Sequence, residues 1–211
     1  MYYDFTYFLE EYLDSGVFIL NLITNSISSL WGIGMYVLTA LGLYTIAKRR
    51  AIWNAWLAWI PVVNCWIIGC ISDQYRYVVK GQMKSRRKSL LTLSVIQLAL
   101  GLAFVVALIV TVICGINTSM SYMGYSHIME SIMVPAIVTL GLLLPMAGVG
   151  IAKLIIYYMA MYDLYTSCAP ENNVVFLVLS ILFRVTEPFF IFFNRNNDKG
   201  MPPRRGTYQE M

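Results

Sequence analysis

The chain has 211 residues, 59% of them hydrophobic and only 12% charged, with a net charge of +4 and a mean hydropathy of +0.66. Soluble domains carry about a quarter charged residues, so this composition excludes an ordinary water-soluble fold and points to an all-helical, polytopic membrane protein. The positive charge does not indicate nucleic acid, because the bases crowd against apolar stretches, where anionic lipid headgroups at the cytoplasmic face are the nearer partner.

The first element is an acidic one. Residues 1–27 open with MYYDFTYFLEEYLDSG, which has four acids and no base, unlike the basic start of a signal peptide; a retained N-terminus is expected. Phe5, Phe8, Leu9, Leu13 and Phe18 recur near the helical period with acids on the other side, the pattern of an amphipathic helix in the outer interface. Ser28–Ala47 follows, twenty residues without a charge, enough to cross a hydrocarbon core of about 30 Å. This is the first predicted span.

Lys48, Arg49 and Arg50 end it and begin a pattern. Thirteen of the fifteen Lys and Arg residues lie in three clusters, Lys48–Arg50, Arg76–Lys88 and Arg195–Arg205, whereas residues 1–47 and 89–152 hold none. Such clusters stay on the cytoplasmic side, which places the N-terminus outside and the C-terminus inside. Residues 51–72 are apolar enough to span, but a crossing would carry one of the flanking clusters outward. Pro61 divides the segment into two arms of about ten residues, each about 15 Å if helical and able to reach only mid-bilayer. Pro also disfavours helix at the residue before it. A re-entrant or interfacial hairpin is therefore expected, with Trp53, Trp56, Trp59 and Trp66 at headgroup level and Asn54 and Asn64 able to satisfy freed backbone groups at the turn.

Residues 90–116 form the second predicted span, uncharged over 27 residues. Beyond it Asn117-Thr118-Ser119 matches a glycosylation triplet, a weak pattern. Residues 132–161 form the third span, with a kink expected at Pro145 and a smooth face of Gly141, Gly148, Gly150 and Ala152 suited to close helix contact. Lys153, about two turns before the predicted inner end, reads as an interfacial anchor; Asp163 and Glu171 read as acids of the following loop. Residues 173–194 repeat the earlier problem, because a crossing would export the basic tail, 195–211. Their centre holds Arg184, Glu187 and Pro188, and an Arg at mid-span costs about 2.5–3.5 kcal/mol. A second proline-broken hairpin avoids much of that cost.

Two of these segments carry a resemblance. The Trp-rich stretch AWLAWIPVVN at Ala55–Asn64, and the C-terminal run TEPFFIFFNRNNDKGMPPRR at Thr186–Arg205, resemble small polytopic membrane proteins of anaerobic Gram-positive bacteria, a family of unknown function. Together they cover 30 residues, about a seventh of the chain. The resemblance implies membership of a membrane family and no reaction, ligand or cofactor.

Catalytic chemistry finds little to stand on. His127 is the only histidine, which excludes two-histidine metal sites and HExxH, and no cofactor motif is present. Ser126 adjoins His127, but sequence neighbours rarely face each other. A serine–lysine pair needs a nucleophile beside Lys153, and Glu10-Glu11, though similar to the acidic pair of membrane prenyl-peptidases, has no Arg four residues on. The four cysteines, Cys65, Cys70, Cys114 and Cys168, lie in or beside apolar segments and read as packing residues. Charges inside the membrane are the better lead: Arg184 and Glu187, three apart and able to pair on one turn, with Asn64 and Lys153, form the candidate intramembrane polar site. The expected role is a non-enzymatic membrane subunit or scaffold binding a partner or lipid, ahead of a small transporter or channel component and an intramembrane enzyme.

Overall fold

A computed structural model describes the backbone of residues 2–82, 85–120 and 125–202, and the side chains of 16–82, 85–116 and 133–202. His127, Ser126, the Asn117–Ser119 triplet, Glu10, Glu11, Arg204 and Arg205 lie outside the described side chains. Six α-helices follow in order: α1 (Tyr2–Arg49), α2 (Asn64–Lys80), α3 (Arg86–Met120), α4 (Tyr125–Cys168), α5 (Asn173–Leu182) and α6 (Glu187–Phe193). No strand occurs among the described residues. Three helical stretches, Gly16–Arg49, Arg86–Ile116 and Met133–Cys168, are long and apolar enough to cross a membrane.

All three exceed the predicted spans. The amphipathic segment 1–27 and the span 28–47 are one helix, because nothing between them breaks it: there is no proline, and Gly16 alone costs only about 1 kcal/mol in a helix interior. Likewise α4 runs past Met161 to Cys168 and keeps both Pro135 and Pro145 inside it. Asp163 is thus a helix residue and not part of a loop.

Between α1 and α3 the chain turns back on itself. Ala55–Trp59 is a short 3-10 helix, not a ten-residue arm. Its entry uses Asn54 at φ 58°, a conformation that Asn tolerates, and Val62 at φ 72° carries the turn after Pro61. Tyr36 of α1 donates to the Trp59 carbonyl at 2.6 Å. From Asn64 the chain returns as α2, and Gln74 Nε2 donates to the Arg50 carbonyl at 3.1 Å. This helix continues through residues 73–80, expected as loop, because Ile67, Ile68, Ile71 and Tyr75 form a buried stripe at helical spacing. Gly81 ends it at φ 63°, the left-handed cap that glycine adopts without strain. Trp53 is 81% exposed and Trp56 and Trp59 are exposed as well.

The second reversal follows α4. Asn173 Nδ2 donates to Thr166 Oγ1 at 2.9 Å where α5 begins, and the Gly200 amide donates to the Ser167 carbonyl at 3.2 Å after α6. Both ends therefore meet the last turn of α4. The helix breaks at Phe183, Arg184–Thr186 form one 3-10 turn, and Pro188 opens α6, where its missing N–H costs nothing.

The core sits where the two reversals meet. Leu43 and Ile46 of α1, Ile67 and Ile71 of α2, Leu164 and Tyr165 of α4, and Ile191 of α6 are fully buried together. Tyr165 shares a hydrogen bond of 2.8 Å with Ser180 and lies edge-on to Phe176 and Phe190, which stack at 4.6 Å. Charge locks the same end. Asp163, 2% exposed, accepts from Arg86 at 2.6 Å and Ser72 at 2.8 Å, joining α4 to α3 and α2. Asp198 accepts from Arg49 at 2.7 Å and Arg50 at 2.9 Å, so the start of the basic tail is held against the end of α1. Of the glycine face of α4, a Cβ at Gly141 or Gly148 would meet nothing within 4 Å, whereas one at Gly150 would lie 3.8 Å from the Gln97 side chain of α3, so the contact expected there is present at Gly150 and absent at the other two.

Candidate functional site

Three of the four predicted polar residues come together. Asn64, the first residue of α2, Lys153 of α4 and Arg184 of the 3-10 turn line one crevice of about 400 Å³. Thr39 of α1, Gln97 of α3 and Tyr158 of α4 also face it. Glu187 stands behind this wall: it is 7% exposed and accepts a hydrogen bond from Tyr157, itself a lining residue.

Backbone geometry explains the convergence. Because α4 continues to Cys168, Lys153 lies fifteen residues, or about 22 Å, from its end, four turns in rather than two. The second reversal runs alongside α4 and breaks at the depth of Tyr157, which puts Arg184 across from Lys153. The first reversal breaks at Pro61, which brings Asn64 and the start of α2 to the same place. Each reversal thus delivers its turn to one site.

Arg184 and Glu187 do not pair directly. No ion pair joins them, since the 3-10 turn between them sends the carboxylate inward to Tyr157 and leaves the guanidinium at the crevice. Asn54, at the N-cap of the 3-10 helix, makes no side-chain capping hydrogen bond. The Asn64 backbone amide donates to the Ile60 carbonyl at 3.0 Å, while its side-chain amide makes no hydrogen bond with a described residue and is available to the crevice.

The electrostatics follow. Lys153 and Arg184 face the crevice with no acidic residue among its lining. The first turn of α2 adds the positive end of a helix dipole, equivalent to about half a charge, with no side chain capping it. The Gln97 side-chain oxygen is buried without a hydrogen-bond partner, with Gly150 leaving it room; a Cβ there would lie 3.8 Å from it. Two cations, side-chain amide donors and the Tyr158 hydroxyl suit an anionic group with hydrogen-bonding oxygens, such as a carboxylate or phosphate. No serine lines the crevice, and no cluster of three His, Cys, Asp or Glu residues occurs among the described residues.

Sequence reasoning missed Gln97, Tyr157 and Asp163. Gln97 was signalled, being the one amide side chain in an uncharged 27-residue stretch, where polar groups usually meet a partner. Tyr157 carried no such signal among fifteen tyrosines. Compared with known proteins, the chain matches no protein family, no curated protein and no solved structure.

Proposed function

We propose that this chain is a multi-pass membrane protein with its N-terminus outside and its C-terminus in the cytoplasm, whose two reversals are re-entrant hairpins entering from the cytoplasmic side. Its role is that of a non-enzymatic membrane subunit, which holds an anionic group of a partner in the crevice between the hairpin tips. One observation carries this reading: Asn64, Lys153 and Arg184, drawn from three separate segments, line a single crevice. Each charge in a membrane interior costs several kcal/mol unless it is paired or hydrated, and two bases on one crevice, with Glu187 behind the wall as the acid that acts on Arg184, favour an opposite charge within it.

The test is recovery of a partner. The wild-type protein, isolated from its own membranes in mild detergent, is expected to bring a stable partner with it, and the Lys153→Met/Arg184→Met variant to lose that partner while remaining folded. Repeated isolation of the wild type alone would count against the subunit role. A small transporter is the second reading, favoured by the meeting of two broken helices at one polar site, which in transporters is where substrate binds. It requires water at the crevice. A cysteine at position 184 that resists water-soluble thiol reagents from both sides would remove its support.

A further inference from the structure

Beside the crevice, and sharing Leu154 and Tyr158 with it, runs a second groove of about 580 Å³, walled by Leu154, Ile155 and Met159 of α4 and by Leu177 of α5. Its lining is almost wholly apolar except at one end, where Arg76, Lys80 and Arg86 gather around Asp163. From Leu154 to Asp163 is nine residues, about 13 Å of helix, close to the depth of one leaflet of a hydrocarbon core of about 30 Å.

The charge at that end is not balanced. Asp163 is the one acid lining the groove, and it is bound at 2.6 Å by Arg86 and at 3.5 Å by Lys80. Arg76 hydrogen-bonds the neutral side chain of Gln82, and its Nε is buried without a partner. Three bases against one acid leave two positive charges at the head of an apolar slot. Leu154, Ile155 and Met159 are exposed within the chain, so the slot is open along its length.

We infer that this groove binds one anionic phospholipid of the cytoplasmic leaflet, with the phosphate between Arg76 and Lys80 and an acyl chain along Leu154, Ile155 and Met159. The inference rests on the membrane orientation proposed above, and is independent of what the crevice holds. A zwitterionic lipid fits the slot but leaves both charges uncompensated; a free phosphate matches the charges and ignores the slot. The pairing of basic head and apolar channel selects an anionic lipid.

The experiment uses the full chain, purified in mild detergent, incubated with equal phosphatidylglycerol and phosphatidylcholine, and weighed intact by native mass spectrometry. Wild type is expected to retain phosphatidylglycerol over phosphatidylcholine by roughly tenfold, with Arg76→Gln/Lys80→Gln bringing the ratio near one. Ile155→Trp, which fills the slot from a position the crevice does not share and leaves the bases in place, is expected to reduce retention of both lipids, and Lys153→Met/Arg184→Met to leave the ratio unchanged. Equal retention by wild type, a preference that survives loss of Arg76 and Lys80, or a bound second copy of the chain in place of lipid would overturn the inference. Release of the protein from native membranes by alkaline carbonate would instead overturn the membrane reading beneath it.

Discussion

Asp163 shows how a single side chain joins three helices. Its carboxylate is buried and is held by Arg86 and Ser72, with Lys80 at the rim. Removing one partner of such a pair strands the other, which costs about 3–5 kcal/mol, far more than a surface pair. Asp163→Asn is therefore expected to cost about 3 kcal/mol of stability by thermal unfolding in mild detergent, and clearly less in an Arg86→Met background, where the solvent-exposed Lys80 alone loses its partner. Equal costs in the two backgrounds would show that the pair is not coupled. Cys70 makes a second local statement. Burial pushes its thiol from 9.0 up to about 11, with Asp73 adding to the rise and Arg87 opposing it. Peptide-resolved alkylation at pH 8 should find Cys70 about a hundredfold slower in the folded protein than in the unfolded chain. The same shift sets a sign for stability: the fold loses support as pH rises from 9.0 to about 11, where the unfolded thiol ionises and the buried one does not. These residues differ in legibility. Asn64, Lys153 and Arg184 were visible in the sequence because polar groups in apolar stretches demand an explanation. Asp163 was hidden, since its role depends on α4 running seven residues further than its apolar core indicates.

The helices were legible where sequence carries an unambiguous break and illegible where packing sets their ends. Pro61 and Pro188, read together with the basic clusters, mark both reversals, and the chain does turn within a few residues of each. The arm lengths were not readable. Residues 73–80 look like basic loop, yet Tyr75 closes a buried stripe that begins at Ile67, and tertiary burial outweighs the run of charge. The junction of α2 with α3 offers a measurement of this packing. A Cβ at Gly69 would fall 2.5 Å from Arg87 Cα and 2.9 Å from its nitrogen, both backbone atoms that cannot swing aside. Asp73 would then be pulled from the Arg86 and Arg87 amides, which it accepts at 2.8 and 3.2 Å. Gly69→Ala gains about 1 kcal/mol of helix propensity and loses about 2 kcal/mol to overpacking, so a net loss is expected in thermal unfolding. Gly101→Ala meets nothing within 4 Å and has only the gain. If both substitutions move the unfolding midpoint in the same direction, the close approach of α2 to α3 is wrong.

Taken as one body, the protein concentrates its buried core and its ion pairs at one end and leaves long apolar faces bare at the other, where Leu102, Val106 and Ile137 are all exposed. Water would not tolerate that surface and lipid would. The orientation then rests on where the chain passes from side to side. Arg50, Gln74 and Asp198 lie within hydrogen-bonding reach of one another through the Arg50 carbonyl and guanidinium. Residue 74 follows the first reversal and residue 198 follows the second. Had either segment crossed, its two ends would stand about 30 Å apart across the hydrocarbon core, and the Asp198 carboxylate could not meet Arg49 and Arg50. The same crossing would also move a basic cluster to the outer face, against the charge bias. Two independent arguments, one from contact and one from charge, therefore give the same expectation. Reporter fusions after Met83 and at Met211 should report the same side, with a fusion after Gly124 reporting the opposite one. Opposite readings at Met83 and Met211 would mean that one reversal passes through the membrane, and would separate the hairpin tips that bring Asn64 and Arg184 to Lys153.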